Sequence, residues 1–436
     1  MANKKIYKSL KHSFIDGTFF SVMFGFGDSY FQAFAIALKA TNFQIGLLSS
    51  LPGLVSSLFQ IKIPDWTERV GRYKFMCASV LAQVVIWAPI ILIPFVFKAN
   101  PAWWLILFVT AYALAGSFAV PAWGSIMSQY LPAAKRGKYF AWRNKIHGAI
   151  TVAATFLAGL TLYLFPRESL YGFMVIFTVA MASRFISWRH LTKMFEPRLA
   201  KKTESFFSLW DFLSRTRQSN FARFVFFVAA FNAAVSFASP FFAVYMLREL
   251  GFDYLSFVII NISVTLATLL SLQAWGAHTD KSGCISVIRL TSIIIPFLPM
   301  LWLISSSKPF LIVVQLISGF AWGGFNLAVS NFIYDAVSEE KRVRCIAYFN
   351  LINGLGLFLG ASLGGYLVSV IPPINGSRFL SIFLLSGLAR MLIRSFMLPN
   401  IKEVRKVSTI SNADLFFGVI GLKATTSPDQ SPTKPE

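Results

Sequence analysis

Gly276-Ala277-His278-Thr279-Asp280-Lys281-Ser282-Gly283 is the stretch on which the fold turns. It lies between two apolar runs, 253–275 and 284–305, each near the ~20 residues a helix needs to cross a bilayer. An acid, a base and a glycine within four residues fit a tight turn at a membrane surface. Gly283 permits the turn, and Asp280 stands just before the next helix, where the macrodipole favours negative charge. Lys281 can pair with an acid or with lipid phosphate. A counterpart occurs far upstream: Glu68-Arg69-Val70-Gly71-Arg72, between the apolar runs 43–62 and 75–97.

Across the chain, twelve segments have the length and apolarity of spans: 13–37, 43–62, 75–97, 102–129, 138–165, 171–194, 221–247, 253–275, 284–305, 309–334, 342–370 and 377–398. Continuous apolar runs exclude barrel strands, which alternate over about 10 residues. Of 436 residues, 56% are hydrophobic and 13% charged, against about 25% charged in a soluble domain. A net charge of +22 raises nucleic acid as a partner. Yet too few polar residues exist to coat a wet basic surface, so nucleic acid is excluded and membrane lipids are the expected surroundings. The fold class is an all-α integral membrane protein. Cys77, Cys284 and Cys345 show no metal spacing, and neither metal nor cofactor is expected.

Basic residues orient the spans. With the N-terminus in the cytoplasm, the outward connections hold only Lys39, Lys98, Arg167, Arg248, Lys308 and Arg378, and the other 34 of 40 Lys and Arg lie toward the cytoplasm. This is the positive-inside pattern, with both termini cytoplasmic in a plasma or inner membrane. The basic segment Met1 to Lys11 leads into an apolar run with no small-residue cleavage site, read as a retained helix. The break at 195–220 places Phe206, Leu209, Trp210 and Leu213 at helical spacing between basic residues, as in an amphipathic helix on the inner membrane face. It divides an N-terminal bundle, 1–194, from a C-terminal bundle, 221–398. Residues 399–436 form a cytoplasmic tail, Ser-, Thr- and Pro-rich from Thr425 and expected to be largely disordered.

The two halves repeat one another. Lys135-Arg136-Gly137-Lys138, followed by Asn144, recurs in the second half as Lys341-Arg342-Val343-Arg344, followed by Asn350. Two parallel six-helix repeats account for this. The chain resembles the major facilitator superfamily of secondary transporters. Gly276, Asp280, Lys281 and Gly283 match the family's loop signature. In the first half Arg69, Gly71 and Arg72 match, while Glu68 replaces an aspartate and Pro64 stands where a glycine belongs. The resemblance implies twelve helices in two pseudo-symmetric six-helix bundles, working as a monomer by alternating access. It also implies that these charges latch the two halves at the cytoplasmic side in one state, with Asp335 as a partner.

Two acids occur within spans, Asp16 and Asp28. Asp16 lies near the cytoplasmic edge and is read as solvated or helix-capping. Asp28 lies near the bilayer middle, where an ionised carboxylate is expensive and marks a functional site. The group suits taking up and releasing a proton, which makes protons the expected coupling ion. Gly25 and Gly27 interrupt the first span. Pro240, which follows Asp28 at the same offset as Asp280 follows Glu68, interrupts the seventh. Matched breaks in two halves point to a midplane binding site. The resemblance implies a cavity lined by spans one, four, seven and ten. The candidate liners for a small-molecule substrate are then Asp28, Gln32, Trp123, Asn232, Ser236, Trp322 and Asn326. No Lys or Arg is expected at mid-membrane, so a small neutral or cationic organic solute fits better than a polyanion. Two rival classes remain: a polytopic enzyme acting on lipid, and a non-transporting sensor or lipid-moving protein of the same fold. Four scattered histidines and the absence of a nucleophile motif disfavour catalysis.

Overall fold

Among the described residues, helix is the only regular structure apart from one bridge between Ile374 and Ser377. The structure, a computed structural model, describes residues 2–60, 62–131, 133–196, 209–214, 219–405, 407 and 411–419. The first half runs α1 (Ala2–Phe26), α2 (Phe31–Ala37), α3 (Asn42–Gln60), α4 (Ile63–Val70), α5 (Arg72–Val96), α6 (Pro101–Tyr130), α7 (Ala133–Tyr163) and α8 (Tyr171–Leu191). A short helix, α9 (Leu209–Ser214), lies in the central break. The second half runs α10 (Asn220–Ser236), α11 (Phe241–Val244), α12 (Tyr254–Ser282), α13 (Cys284–Leu301), α14 (Lys308–Ala336), α15 (Glu339–Val370) and α16 (Arg378–Met397), and α17 (Asn412–Val419) follows.

Ten of these segments are long and apolar enough to cross a membrane. The remaining two expected spans are α1–α2, interrupted at Gly27, and α3, a 19-residue helix with Pro52 inside it. The two halves use one packing scheme. In the first, α1 packs on α7 and α8, α6 holds both α3 and α5, and α5 meets α8. In the second, α10 packs on α15 and α16, α14 holds both α12 and α13, and α13 meets α16. The halves join through α3 on α15 and α7 on α12, contacts that exchange with each other under the repeat. The two sharp turns between α4 and α5 and between α12 and α13 fall on Gly71 (φ 90°) and Gly283 (φ 83°). The two glycines are counterparts under the repeat, in a backbone region costly for any residue with a Cβ.

Call the end of the bundle with the short connections 38–41, 97–100 and 164–170 the loop end, and the other the termini end. At the loop end one apolar core runs through both halves, from Tyr30, Phe34, Trp87 and Phe173 to Tyr254, Trp302 and Phe383. Phe173 meets Tyr254 edge-on across the halves, 5.5 Å between centroids. Arg167 donates to Gly251 O (3.1 Å) and Arg248 to Ala40 O (2.5 Å), also across the halves. Toward the termini end the core divides. One cluster, around Met76, Ile126 and Tyr130, belongs to the first half, and another, around Phe224, Trp275 and Phe332, to the second. The halves therefore share one apolar core at the loop end and have separate cores toward the termini end, where α3 and α15 still touch.

Of the expected amphipathic helix at 195–220, only α9 lies within the described part: Phe212 is buried against Phe221 and Tyr348, while Trp210 is exposed. Phe206 lies outside the described residues. The described part of residues 398–419 is anchored to the second half at several points. Lys402 and Asn220 exchange two hydrogen bonds (2.8 and 2.9 Å), Glu403 accepts from Ile285 N at the start of α13 (2.8 Å), and Leu415 on α17 is fully buried. Residues 420–436, including the Ser- and Pro-rich stretch, lie outside the described residues.

Candidate functional site

The first helix breaks where its glycines predict. Gly27 ends α1 against the Trp87 indole, leaving no room for a Cβ. A 3-10 turn, Asp28–Tyr30, follows before α2 resumes. The seventh helix breaks at the equivalent place: α10 ends at Ser236 and α11 starts after Pro240. In the first break the Tyr112 hydroxyl of α6 donates to Asp28 Oδ1 at 2.9 Å. Tyr30 Oη donates to Thr155 O on α7 at 2.5 Å, pinning the far side of the turn.

From Asp28 a polar network runs through the first half. Gln83 Nε2 on α5 donates to the Tyr112 carbonyl (3.1 Å). Gln83 Oε1 accepts from both Nε (3.0 Å) and Nη2 (2.5 Å) of Arg184 on α8. Arg184 Nη1 donates to Ser187 Oγ (2.9 Å), and Ser187 Oγ donates to Asp16 Oδ1 (2.6 Å). The Arg184 guanidinium also lies 5.0 Å from the Phe20 ring centroid, a cation–π contact. Asp16 (6% exposed), Gln83 (3%) and Arg184 (4%) are buried.

The structure corrects two expectations. Asp16 is neither solvated nor a cap: it is buried and bonded across to α8, because Ser187 presents a hydroxyl at its level. Arginine does lie deep in the spans. Arg184 sits thirteen residues from the loop-end start of α8, about 20 Å at 1.5 Å per residue, and Arg390 on α16 is buried as well. Nearer the termini end, Arg143 and His147 of α7 reach α1: Arg143 Nη2 donates to Ser13 O (3.2 Å), and His147 Nε2 lies 3.2 Å from Phe14 O. The Arg143 guanidinium lies 4.7 Å from the Trp123 ring centroid.

The second half presents an uncharged face. A crevice of about 310 Å³ is lined by Asn232, Asn326, Ser330, Asn350 and Asn353 together with apolar side chains and Tyr334. Asn232 Nδ2 donates to Asn353 Oδ1 (2.8 Å), and Asn350 Nδ2 donates across to Gln60 Oε1 on α3 (2.9 Å).

The expected liners therefore fall in separate places. Asn232 and Asn326 share the crevice. Asp28 and Gln32 lie in and beyond the first break, Gln32 donating to Ser49 Oγ (3.4 Å). Trp123 donates to Ser13 Oγ (3.3 Å) nearer the termini end. Ser236 is buried, and Trp322 packs edge-on to Phe325. Of the loop residues, Arg69 and Lys281 are exposed, Gly276 lies within α12, and nothing is described of the Glu68 side chain. Arg72 bonds Ser125 Oγ (2.9 Å) and pairs with Glu196 (3.5 Å). Asp280 and Asp335 converge on Arg405 of the tail, at 3.2 and 2.7 Å. Sequence reasoning missed Tyr112, Gln83, Arg184, Ser187 and Arg405. Arg184 had a usable signal: Arg390 follows it at the same offset as Lys341 follows Lys135.

A family model described as Major Facilitator Superfamily matches residues 18–294 and 224–417. An MFS-type transporter of Methanocaldococcus jannaschii is 23% identical over 378 residues, 84% of this chain and 93% of its own length. Vacuolar basic amino acid transporter 1 of Saccharomyces cerevisiae is 32% identical over 119 residues, 26% of this chain and 21% of the yeast protein, so that match spans about a fifth of the relative. The crystal structure of the nucleoside transporter NupG superposes with a TM-score of 0.69 at 12% identity, covering 91% of this chain and 99% of NupG. A bacterial homolog of the human lysosomal transporter Spinster, inward-facing and occupied, gives 0.62 at 17% identity, covering 93% and 98%. At these identities the two crystal structures show a shared fold alone.

Proposed function

The chain belongs to the major facilitator superfamily and is a membrane transporter rather than an enzyme, and from that premise we propose that it moves a small organic solute by alternating access, driven by a proton exchanged at Asp28. The observation that carries this reading is an apolar core shared by the halves at one end and divided at the other, around a first helix broken at an acid. Alternating access requires two packings of one chain that differ in such contacts. With both termini in the cytoplasm of a plasma or inner membrane, this packing is the inward-open one. The bundles 1–194 and 221–398, joined by the linker 195–220, then rock around a central site, as a monomer among membrane lipids.

Asparagines line the crevice on the second half. Amides donate and accept without charge, which supports a neutral solute with polar edges. Two of the similar proteins carry a basic amino acid and a nucleoside, both within the wider class of small organic solutes. In the inward-open packing Asp280 and Asp335 rest on Arg405. We assign to Glu68, Arg69, Arg72, Asp280, Lys281 and Asp335 the cytoplasmic latch that forms when the halves close, with Gly276 in the helix before it and the chain turning on Gly71 and Gly283.

Flux into proteoliposomes under an imposed pH gradient tests the reading, with solutes chosen by ligand-induced thermal shift. Asp28→Asn abolishes gradient-driven accumulation and spares solute exchange. Accumulation by the variant equal to wild type removes Asp28 from coupling. Failure of every solute to cross, with ligands still shifting the unfolding midpoint, favours a sensor of the same fold.

A further inference from the structure

A buried guanidinium stands between two acids of one helix, and the two sides are not alike. Arg184 remains charged in any protein environment, and a charge in the bilayer interior needs an opposite one or a full set of hydrogen bonds. One hydroxyl, Ser187 Oγ, separates it from Asp16. The route to Asp28 is longer, through the Gln83 amide, the Tyr112 backbone and the Tyr112 hydroxyl. The charge of Arg184 nevertheless reaches both carboxyls.

We infer that Arg184 is a positioning residue for the coupling acid: Asp16 is its resident counter-charge, and Gln83 and Tyr112 extend the same frame to hold Asp28 as the one carboxyl free to exchange a proton. Asp16 stays ionised, its charge cancelled by Arg184. The proton that enters or leaves Asp28 is then the only change of charge in the frame. Both acids lie on the first span, Asp16 within α1 and Asp28 in the break itself. The frame thus ties the moving part of the helix to α5, α6 and α8.

The other titratable groups around these acids come from every packed helix. Arg143 on α7 acts on Asp16, and His147 lies beside Gly17, one residue away. Cys77 on α5 also senses Asp16. Tyr112 on α6 bonds Asp28 directly, and Arg184 on α8 acts on both. Arg143 acts on Asp16 only through space, since its hydrogen bond goes to the Ser13 carbonyl and its ring contact to Trp123, whereas Arg184 is joined to Asp16 through Ser187.

The inference rests on the proposed role of Asp28, and infrared spectroscopy of the purified full chain separates the two without needing a substrate. A protonated buried carboxyl has its own carbonyl band, which is followed against pH. Wild type shows one titrating band, lost in Asp28→Asn and kept in Asp16→Asn. Arg184→Gln gains a second band, because Asp16 loses its counter-charge, and the double variant Asp16→Asn/Arg184→Gln loses that second band again. Arg184→Lys returns the single-band spectrum. Unfolding midpoints of the variants run alongside. A double variant more stable than Arg184→Gln alone marks the pair as coupled, and it keeps the test open if Arg184→Gln folds poorly.

Two outcomes overturn the inference: an Arg184→Gln spectrum with the wild-type band only, or a wild-type band that disappears in Asp16→Asn. A band that survives Asp28→Asn and Asp16→Asn alike overturns the coupling role of Asp28. The appearance or absence of the second band in Arg184→Gln then decides the Asp16–Arg184 pairing by itself.

Discussion

Arg184 and Arg390 occupy equivalent places on the sixth and twelfth spans. Both are buried, and each reaches the equivalent position of the third span in its half. Arg184 binds the side chain of Gln83, and Arg390 Nη1 binds the backbone carbonyl of Ile295 at 3.2 Å. Ile295 follows Gln83 at the same offset as Asp280 follows Glu68. Its carbonyl is available for a physical reason. The helical donor would be the N–H of residue 299, which is proline and has none. Around Arg184 stand Asp16 and Ser187, whereas the equivalents around Arg390 are Val228 and Ile393. One scaffold position therefore serves two purposes. In the first half a fixed charge is balanced by side chains that can titrate. In the second it mends a helix that proline has opened, with no acid bonded to it among the described residues. The first half bonds its buried arginine into a network with an acid, while the second lines its crevice with amides.

Three measurements break or sharpen this contrast. The largest effect is expected from Arg184→Ala, which leaves Asp16 buried and unpaired and costs about 3–5 kcal/mol of stability. Arg390→Ala leaves only backbone carbonyls without a donor, a cost of about 1–3 kcal/mol. Equal losses in denaturation of the two variants would erase the distinction. Pro299→Ala comes next. It restores a helical N–H to Ile295, so Arg390→Ala made in that background costs less than in wild type by about 1 kcal/mol. Strict additivity of the two would show that Arg390 does not serve that carbonyl. Smallest is Tyr112→Phe, which removes one hydrogen bond to Asp28 and costs about 1 kcal/mol if the carboxyl can protonate in response. Its infrared signature is a shifted Asp28 band with no band from Asp16. A change at Asp16 instead would place Tyr112 on the other arm of the frame.

Much of the fold was legible because the physics behind it is local. Span length follows from bilayer thickness, and the turn glycines follow from the steric cost of positive φ, as Gly71 and Gly283 confirm. The breaks at Gly27 and Pro240 were readable from residue type alone. The polar interior was not. Gln83, Ser187 and Arg184 look like ordinary members of apolar runs, and their meeting depends on how α5 and α8 turn their faces to α1. Arg184 is only five residues from Arg189, so it reads as part of a basic helix end. Span number alone does not place a cavity liner, because residues on one span face different neighbours according to helix rotation.

By itself the sequence determined a twelve-span, twofold-repeated α-helical chain, its family resemblance, and an acid at a break in the first helix. Hydropathy, glycine and proline sterics and internal repetition are properties of neighbouring residues, so they survive in a linear string. Only the tertiary structure decided at which end the halves share one core, that Asp16 is buried, that Arg184 lies between two carboxyls, and that its repeat mate caps a proline-opened helix. Hydrogen bonds between residues far apart in the chain, such as Gln83 with Arg184, exist only after packing sets rotation and depth. The cost of an unpaired buried charge then makes those contacts decisive.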